Sequence, residues 1–343
     1  MRLAGSWSVQ GGGSILQQVS DIGMLFSTLQ VVFPIFATVG VGYGFGFAGL
    51  LNKQVGDNLS TFCITVLIPV LIFRTLATSD LAGLSPWSLW GTYYTALAIC
   101  AALGGFFVRK VFGREARAAC IGGFSAAFSN MSLVGIPVIT SAYGPEALVP
   151  ISLIISIHAP SVTLVFVLAM ERAVVVDGYQ DARPMNEVMR SVFNTLIKSP
   201  LVIAILLGVS WNFSGYELPM LVDGVLNPLA KAASPVALFS VGMSLLNYGV
   251  RGNIAIGSVL SLLKVVLMPA LVLGLGASIF QLPPYWVAVA TLAAACPTGV
   301  VAYLYASQFG TGHAMSANSI SLTTIFSIIT MSFWLWVLNY LGY

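Results

Sequence analysis

The sequence predicts an all-α polytopic membrane protein, and two observations carry that prediction. Only 7% of the 343 residues are Asp, Glu, Lys or Arg, whereas 58% are hydrophobic. Between residue 252 and the C-terminus the one such charged side chain is Lys264, and a water-exposed surface of that length needs many more. The apolar runs are continuous, as in helices that cross about 30 Å of hydrocarbon, and do not alternate as in a β-barrel.

Charges and Pro or Gly residues divide the chain into ten predicted transmembrane helices, called spans one to ten here. The longest polar connection, residues 172–198, separates five spans within 25–171 from five within 199–343. Residues 1–24 are too polar for a signal peptide and form an N-terminal extension. The spans lie near 26–50, 56–77, 86–108, 117–142, 147–171, 199–215, 222–247, 253–280, 285–309 and 314–341.

Positive charges are distributed unevenly between the two sides that these spans define. The N-terminus and the connections after even-numbered spans hold little more than Arg2 and Arg74. By the positive-inside rule the central loop is cytoplasmic and both termini are outside. Connections after odd-numbered spans hold Lys53, Arg109, Lys110, Arg114, Arg117, Arg172, Arg183, Arg190, Lys198 and Arg251.

The two halves repeat each other at a constant offset of 166 residues, most clearly in their Pro, Gly and Asp positions. An odd number of spans per half makes the second copy inverted relative to the first, the architecture of many secondary transporters. Accidental matching of similarly composed helices is the alternative. The matched pairs include Pro34 with Pro200, Gly42 with Gly208, Asp57 with Asp223, Pro69 with Pro235, and Gly144 with Gly310.

Spans four and nine, which correspond in the two halves, each contain an expected interruption. Proline removes a backbone donor and glycine permits unwinding, and freed backbone groups at membrane depth line a cavity or are buried in protein. The N-termini of the resulting half-helices suit an anion. A proline kink that serves packing is the alternative. The candidate substrate residues are Ser129, Asn130, Ser132, Gly135, Pro137, Cys296, Pro297, Thr298 and Gly299.

Two further polar residues lie deep in the spans. Lys264 comes about thirteen residues after Arg251, roughly 20 Å along a helix, too deep for its stem to reach water easily. We expect it to contact either an anionic substrate or carbonyls freed by a broken helix. His158, in the middle of span five, is a candidate for substrate binding or proton relay; the alternative is a hydrogen-bonded core histidine.

The remaining composition weighs against several other functions. Carboxylates occur near span ends but not deep within them. Because a cation antiporter normally exchanges its cations at a buried carboxylate, this distribution disfavours such a function. A sodium-coupled organic-anion symporter of the bile-acid type is an alternative, because neutral oxygens of Ser, Thr, Asn and the backbone bind Na⁺. An intramembrane hydrolase is disfavoured, since Ser156 and His158 face different sides of a helix; a passive channel is a third alternative. The four cysteines lie in apolar segments without CxxC spacing, so no disulfide, metal or cofactor site is predicted.

Several short motifs, in order and spacing, resemble the auxin efflux carrier family, which includes bacterial malonate-transporter-like members. The resemblance covers roughly residues 25–342. The motifs are VFPIF at 32–36, GVGY at 40–43, IPVLIF at 68–73, NMSLVGIP at 130–137, YG at 143–144, PVALF at 235–239 with Gly242, KVVLMP at 264–269 and ACPTG at 295–299.

The resemblance implies ten helices in two inverted five-helix repeats, with spans four and nine crossing at their prolines. It also implies a scaffold domain (spans 1, 2, 6 and 7), a transport domain (spans 3–5 and 8–10) and elevator-like movement. Substrates in the family are organic anions, such as auxin or malonate. The short cytoplasmic loop resembles bacterial members and implies the bacterial inner membrane. The expected partners are a small organic anion and the lipid bilayer, with a homodimer open and no nucleic acid.

Overall fold

The structure, a computed structural model, describes residues 30, 32–79, 81, 85–179, 185–247, 252 and 254–343. The predicted N-terminal extension, residues 1–24, lies outside the described residues. The helices are α1 (Val32–Phe47), α2 (Lys53–Thr78), α3 (Trp87–Val111), α4 (Ala116–Ala127), α5 (Met131–Tyr143), α6 (Leu148–Val176), α7 (Met185–Ile197), α8 (Pro200–Phe213), α9 (Met220–Ser244), α10 (Ile254–Ile279), α11 (Pro284–Ala295), α12 (Val301–Gln308) and α13 (His313–Tyr340).

The predicted helical membrane architecture is confirmed. Within the described residues, five helices are long and apolar enough to cross a membrane, namely α2, α3, α6, α10 and α13, and α1, α5, α8 and α11 are shorter apolar helices. Each predicted span coincides with one helix, except that span four is α4 with α5 and span nine is α11 with α12. The ten-span inverted repeat itself stays a prediction.

The structure places helical residues within the connection predicted over 172–198. Helix α6 continues to Val176, and α7 occupies Met185–Ile197. Exposed side chains of α7 include apolar Phe193 and Ile197 as well as Glu187 and Arg190. The sequence-based interpretation overlooked this helix because its charges broke the long apolar pattern by which the spans were recognised.

In the part of the chain that the structure describes, three helices contain a π-helical turn just before a proline. The turns are Cys63–Leu67, Met131–Gly135 and Leu263–Leu267, and they precede Pro69, Pro137 and Pro269. Proline lacks an N–H and its ring clashes with the carbonyl four residues earlier, so a wider turn relieves the clash and leaves carbonyls free. Two carbonyls of the third turn have side-chain donors: Val265 accepts from Trp334 Nε1 at 2.9 Å, and Leu263 from Cys100 Sγ at 3.6 Å.

Glycines bring helices α1 and α9 into close contact. A Cβ atom on Gly42 would collide with the Phe239 carbonyl, and one on Gly242 would collide with the Val39 carbonyl. Such mutual approach of small residues is a common means of packing helices in membranes. Because α9 also packs along α2, these three helices form one compact group, all of it within the predicted scaffold domain.

An ionic cluster fixes the start of α4. The Asp177 carboxylate, at the end of α6, accepts hydrogen bonds from the backbone N–H groups of Ala116 and Arg117, both at 2.9 Å. The Arg117 guanidinium pairs with Asp177 at 3.3 Å and Glu115 at 3.1 Å, and lies 3.8 Å from the centre of the Tyr179 ring. Asp177, which is distant in sequence, therefore caps the N-terminus of α4, because the residue preceding the helix provides no side-chain cap.

Replacing Asp177 by Ala should destabilise the protein by about 3 kcal/mol, because it leaves a half-buried cation and two helix N–H groups without their partner. Burial raises the pKa of the Asp177 carboxyl, but the bonds from Arg117 and Ala116 outweigh burial and lower the pKa below its ordinary value of 3.8. The stabilisation is therefore fully present above pH 3.8 and lost as pH falls through the lower folded pKa.

Melting curves of the wild type and the Asp177→Ala variant should thus differ equally at pH 7 and pH 5. Glu187→Ala, which removes an exposed carboxylate from the first turn of α7, is the matched control and should melt like the wild type. A difference that already shrinks between pH 7 and pH 5 would contradict a lowered pKa.

Candidate functional site

The interruptions of spans four and nine contact each other directly. Helix α4 ends at Ala127 and α5 begins at Met131, and the backbone leaves the helical conformation in between, with Phe128 extended. Asn130 N–H donates to the Pro297 carbonyl at 2.8 Å, and Gly299 N–H donates to the Phe128 carbonyl at 3.0 Å. Ser129 and Thr298 thus form an isolated antiparallel β-bridge. Each break satisfies the backbone groups that the other exposes.

The crossing occurs beside one of the two predicted prolines. Pro297 lies in the break of span nine, as predicted. Pro137 instead lies inside α5, where the π turn Met131–Gly135 accommodates it. The break of span four lies seven residues before Pro137, at 128–130, and contains neither Pro nor Gly.

Ser129 and His158 are buried at the crossing. Ser129 is 3% exposed; its Oγ lies 2.9 Å from Tyr93 Oη, and its N–H donates to His158 Nε2 at 3.4 Å. The His158 ring packs 4.8 Å from the Phe128 ring, centre to centre. His158 therefore helps to hold the break of span four through Nε2, whereas its Nδ1 is buried without a hydrogen-bond partner among the described residues. Its role in substrate binding or proton relay stays a prediction.

Thr298 joins the crossing to two further helical segments. Its Oγ1 donates to the Ser125 carbonyl at 2.9 Å, one of the last carbonyls of α4, and its N–H donates to Thr323 Oγ1 of α13 at 3.0 Å. Cys296 is buried and donates to the Leu292 carbonyl at 3.4 Å. These contacts make Thr298 and Cys296 parts of the protein interior.

The two candidate glycines lie at points of close packing. A Cβ atom on Gly135 would lie 2.9 Å from Cys296 Sγ, and one on Gly299 would lie 2.6 Å from the Phe128 ring. Larger residues at either position would push the two breaks apart. Ser132, in the first turn of α5, is half-buried.

Lys264 is fully buried and reaches the broken helix of span nine. Its Nζ donates to the Ala294 carbonyl at 2.5 Å, and α11 ends one residue later, at Ala295. The contact is with a carbonyl freed by the helix interruption, one of the two expected partners, and contact with an anionic substrate stays a prediction. The contact also places a cation at the C-terminus of α11, where the helix dipole favours it.

A cavity of about 400 Å³ lies beside the crossing. Asn130 is the one predicted candidate residue that lines it. Asn130 Oδ1 accepts from Leu133 N–H at 3.4 Å as the N-cap of α5, and the amide N–H donors have no partner among the described residues. Besides Asn130 the lining comprises Asp57, Ser60, Thr61, Ile64, Thr65, Leu133, Val241, Ser244, Leu245, Val300, Leu304, Ile320 and Thr324.

Sequence reasoning missed the wall of this cavity that α2 contributes. Ser60, Thr61, Ile64 and Thr65 lie one turn apart on one face of α2, and Ser60 Oγ is buried without a hydrogen-bond partner in the structure. Hydroxyl groups recurring at this spacing in an apolar helix were the available signal. It was weak, because Ser and Thr also bond their own helix carbonyls.

Comparison with known proteins agrees with this architecture. The chain is 27% identical over 305 residues to a Rhizobium meliloti protein named "Putative malonate transporter", covering 84% of this chain and 91% of that protein. It is 26% identical over 321 residues to an "Uncharacterized transporter" of Methanothermobacter thermautotrophicus, covering 91% and 99%. A transporter of Escherichia coli K12, also named uncharacterized, is 22% identical over 321 residues.

These relatives confirm the resemblance drawn from the motifs, and they favour a transporter over a hydrolase. The family model described as membrane transport protein matches residues 27–335, nearly the whole of the chain that the structure describes. The chain belongs to this membrane transport protein family and is a multi-pass membrane transporter.

Proposed function

We propose that this protein is a secondary transporter of small organic anions, with the substrate bound beside the helix crossing and moved by elevator-type alternating access. The observation that supports this most is the cavity of about 400 Å³ that Asn130 lines next to the paired breaks. Its size falls within the range of small-molecule sites and suits a short carboxylate better than a bulky solute.

The surroundings of the cavity favour an anion. Helices α5 and α12 both begin at the crossing, and their first residues, Asn130 with Leu133 and Val300 with Leu304, line the cavity. Helix N-termini carry unpaired N–H groups and partial positive charge. Among the lining residues described, Asp57 is the acidic one, and it has an interaction of its own. The relative named for malonate matches a small dicarboxylate.

The walls of the cavity support the elevator mechanism. One wall belongs to α2 and α9 of the predicted scaffold domain, and the other to α5, α12 and α13 of the predicted transport domain. The scaffold helices α1 and α9 are packed through glycines, whereas the crossing breaks are bonded within the transport domain. Sliding of one group past the other would therefore carry Asn130 and its ligand without breaking the crossing.

The proposed topology has ten spans, a cytoplasmic central loop and both termini outside, in a bacterial inner membrane. Cysteines introduced at Glu187, in α7, and at Tyr343 should then react with a membrane-impermeant maleimide from opposite sides. The native cysteines Cys63, Cys100 and Cys296 are buried and should stay silent, and the partly exposed Cys120 is first replaced by Ala. Reaction of both introduced cysteines from the same side would exclude the five-plus-five inverted arrangement.

Flux measurements on the full chain in liposomes test the transport proposal. We expect saturable uptake of labelled malonate or another short dicarboxylate, and accelerated exchange when unlabelled substrate is present inside. A carrier shows such counterflow and a channel does not, so flux that neither saturates nor exchanges would refute the proposal. Dependence of uptake on a sodium gradient would favour the sodium-coupled alternative, and recovery of a cleaved product would favour a hydrolase.

A further inference from the structure

A second cavity lies away from the crossing, in a groove between α3, α4 and α6. Its volume is about 600 Å³, and its lining is almost entirely apolar. Phe124, Ala127 and Phe166 form its buried floor, whereas Phe106 and Val165 at its edges are 54% and 65% exposed. Exposed apolar edges within membrane-spanning helices face hydrocarbon, so this groove opens towards lipid rather than water.

Small residues create the groove. A Cβ atom on Gly123 of α4 would lie 2.6 Å from the Ala101 carbonyl of α3, so these two helices approach closely and leave a shallow valley. Ala98, Ala102 and Gly105 continue the valley along α3 with a spacing of about one turn. A flexible hydrocarbon chain fills such a surface by dispersion contacts that no single side chain of this protein supplies.

Positively charged residues follow the groove-lining residues of α3 and α6 at one end of the groove. On α3 the lining ends with Gly105 and Phe106, and Arg109 and Lys110 follow one turn later. On α6 the lining ends with Ala169, and Arg172 follows three residues later. All three cations are exposed. The charged ends of Lys110 and Arg172 have no partner among the described residues, and Arg109 donates only to the Arg114 carbonyl, at 2.9 Å.

The acidic side chains near this end that the structure describes already have other partners. Glu115 and Asp177 both form ion pairs with Arg117, and Glu115 also accepts a hydrogen bond from Thr311. Glu171 has an interaction of its own. Among the described residues, the three exposed cations therefore have no acidic partner at the end of the groove.

We propose that this groove is a binding site for an anionic phospholipid. The acyl chain lies between α3, α4 and α6, and the phosphate is held by Arg109, Lys110 and Arg172. Basic clusters at the ends of membrane helices attract anionic headgroups, and guanidinium groups bind phosphate oxygens in pairs. Because the groove belongs wholly to the predicted transport domain, the lipid would travel with that domain.

The test uses the purified full chain in detergent and measures melting temperature against added phosphatidylglycerol or phosphatidylcholine with the same acyl chains. We expect stabilisation by phosphatidylglycerol at lower concentration than by phosphatidylcholine. The double variant Lys110→Gln with Arg172→Gln should weaken the apparent affinity for phosphatidylglycerol roughly 25-fold, since each cation near an anionic surface contributes on the order of a factor of five. Ala102→Phe should weaken it by filling the groove.

Matched controls separate the site from general charge attraction. The double variant Lys53→Gln with Lys198→Gln removes two exposed cations elsewhere and should bind phosphatidylglycerol as the wild type does. The proposal is wrong if both lipids stabilise equally, or if either the cation variant or Ala102→Phe binds like the wild type. Competition by soluble glycerol phosphate at similar concentration would show a free-phosphate site and would also overturn it. Melting without lipid reports whether each variant folds.

Discussion

An Asn130→Asp variant should melt close to the wild type and lose carboxylate transport by more than about a hundredfold. Aspartate has the same shape as asparagine and is an equally good N-cap, so the bond to Leu133 N–H is retained. Its charge, however, replaces the amide donors that line the cavity. Binding a carboxylate substrate next to this introduced negative charge costs several kcal/mol of binding free energy. Each 1.4 kcal/mol corresponds to about a factor of ten in affinity.

The measurement is dicarboxylate uptake and melting temperature on the same preparations. Asn339→Asp, an identical substitution at an exposed position in the last turn of α13, is the control and should transport normally. Asn130→Ala is less informative, because it also removes the cap and should lose about 1 kcal/mol of stability. Normal uptake by Asn130→Asp would mean that the anion binds elsewhere.

Replacing Lys264 by Ala should destabilise the protein by about 3 to 5 kcal/mol. The substitution leaves a cavity where a fully buried four-carbon stem was packed and removes the donor to the Ala294 carbonyl. Lys264→Met keeps the stem and loses only that contact, so its loss should be about 1 to 2 kcal/mol. Lys264→Arg should also be poorly tolerated, because a planar guanidinium does not reproduce the compact charge of the ammonium.

Lys264 does not line the cavity beside the crossing, so the Met variant should bind a transported carboxylate within about twofold of the wild type. A melting curve and a binding isotherm distinguish the two roles. Lys231→Met, which removes an exposed lysine on α9, serves as the control for loss of charge. A Lys264→Met variant that melts normally but no longer binds would show that this lysine contacts the substrate.

The helical membrane fold was predictable because helices in lipid need long apolar runs with few charged residues. Continuous apolar runs located the helices, and the corresponding interruptions located the crossing. The break at 128–130 could not be located to the residue, since its local signal is only the N-cap preference of Ser129 and Asn130, and Pro137 lies further along the span. It is imposed by hydrogen bonds to residues 297 and 299, which lie far away in sequence.

The sequence predicted which polar residues lie at the candidate site better than it predicted what each of them contacts. The sequence singled out Asn130, His158 and Lys264 as polar groups at membrane depth, and all three lie at or next to the broken helices. Which of them faces a cavity depends on how helices from both halves pack. Asn130 faces one, whereas His158 and Lys264 bond to backbone atoms of the breaks.

The most direct test of the proposed function is an experimental structure with a transported carboxylate bound. The account predicts that a carboxylate oxygen lies within hydrogen-bond distance, about 3 Å, of Asn130 Nδ2, between α2 and α5. A ligand found in the groove between α3, α4 and α6, or anywhere else with the cavity beside Asn130 empty, would contradict it.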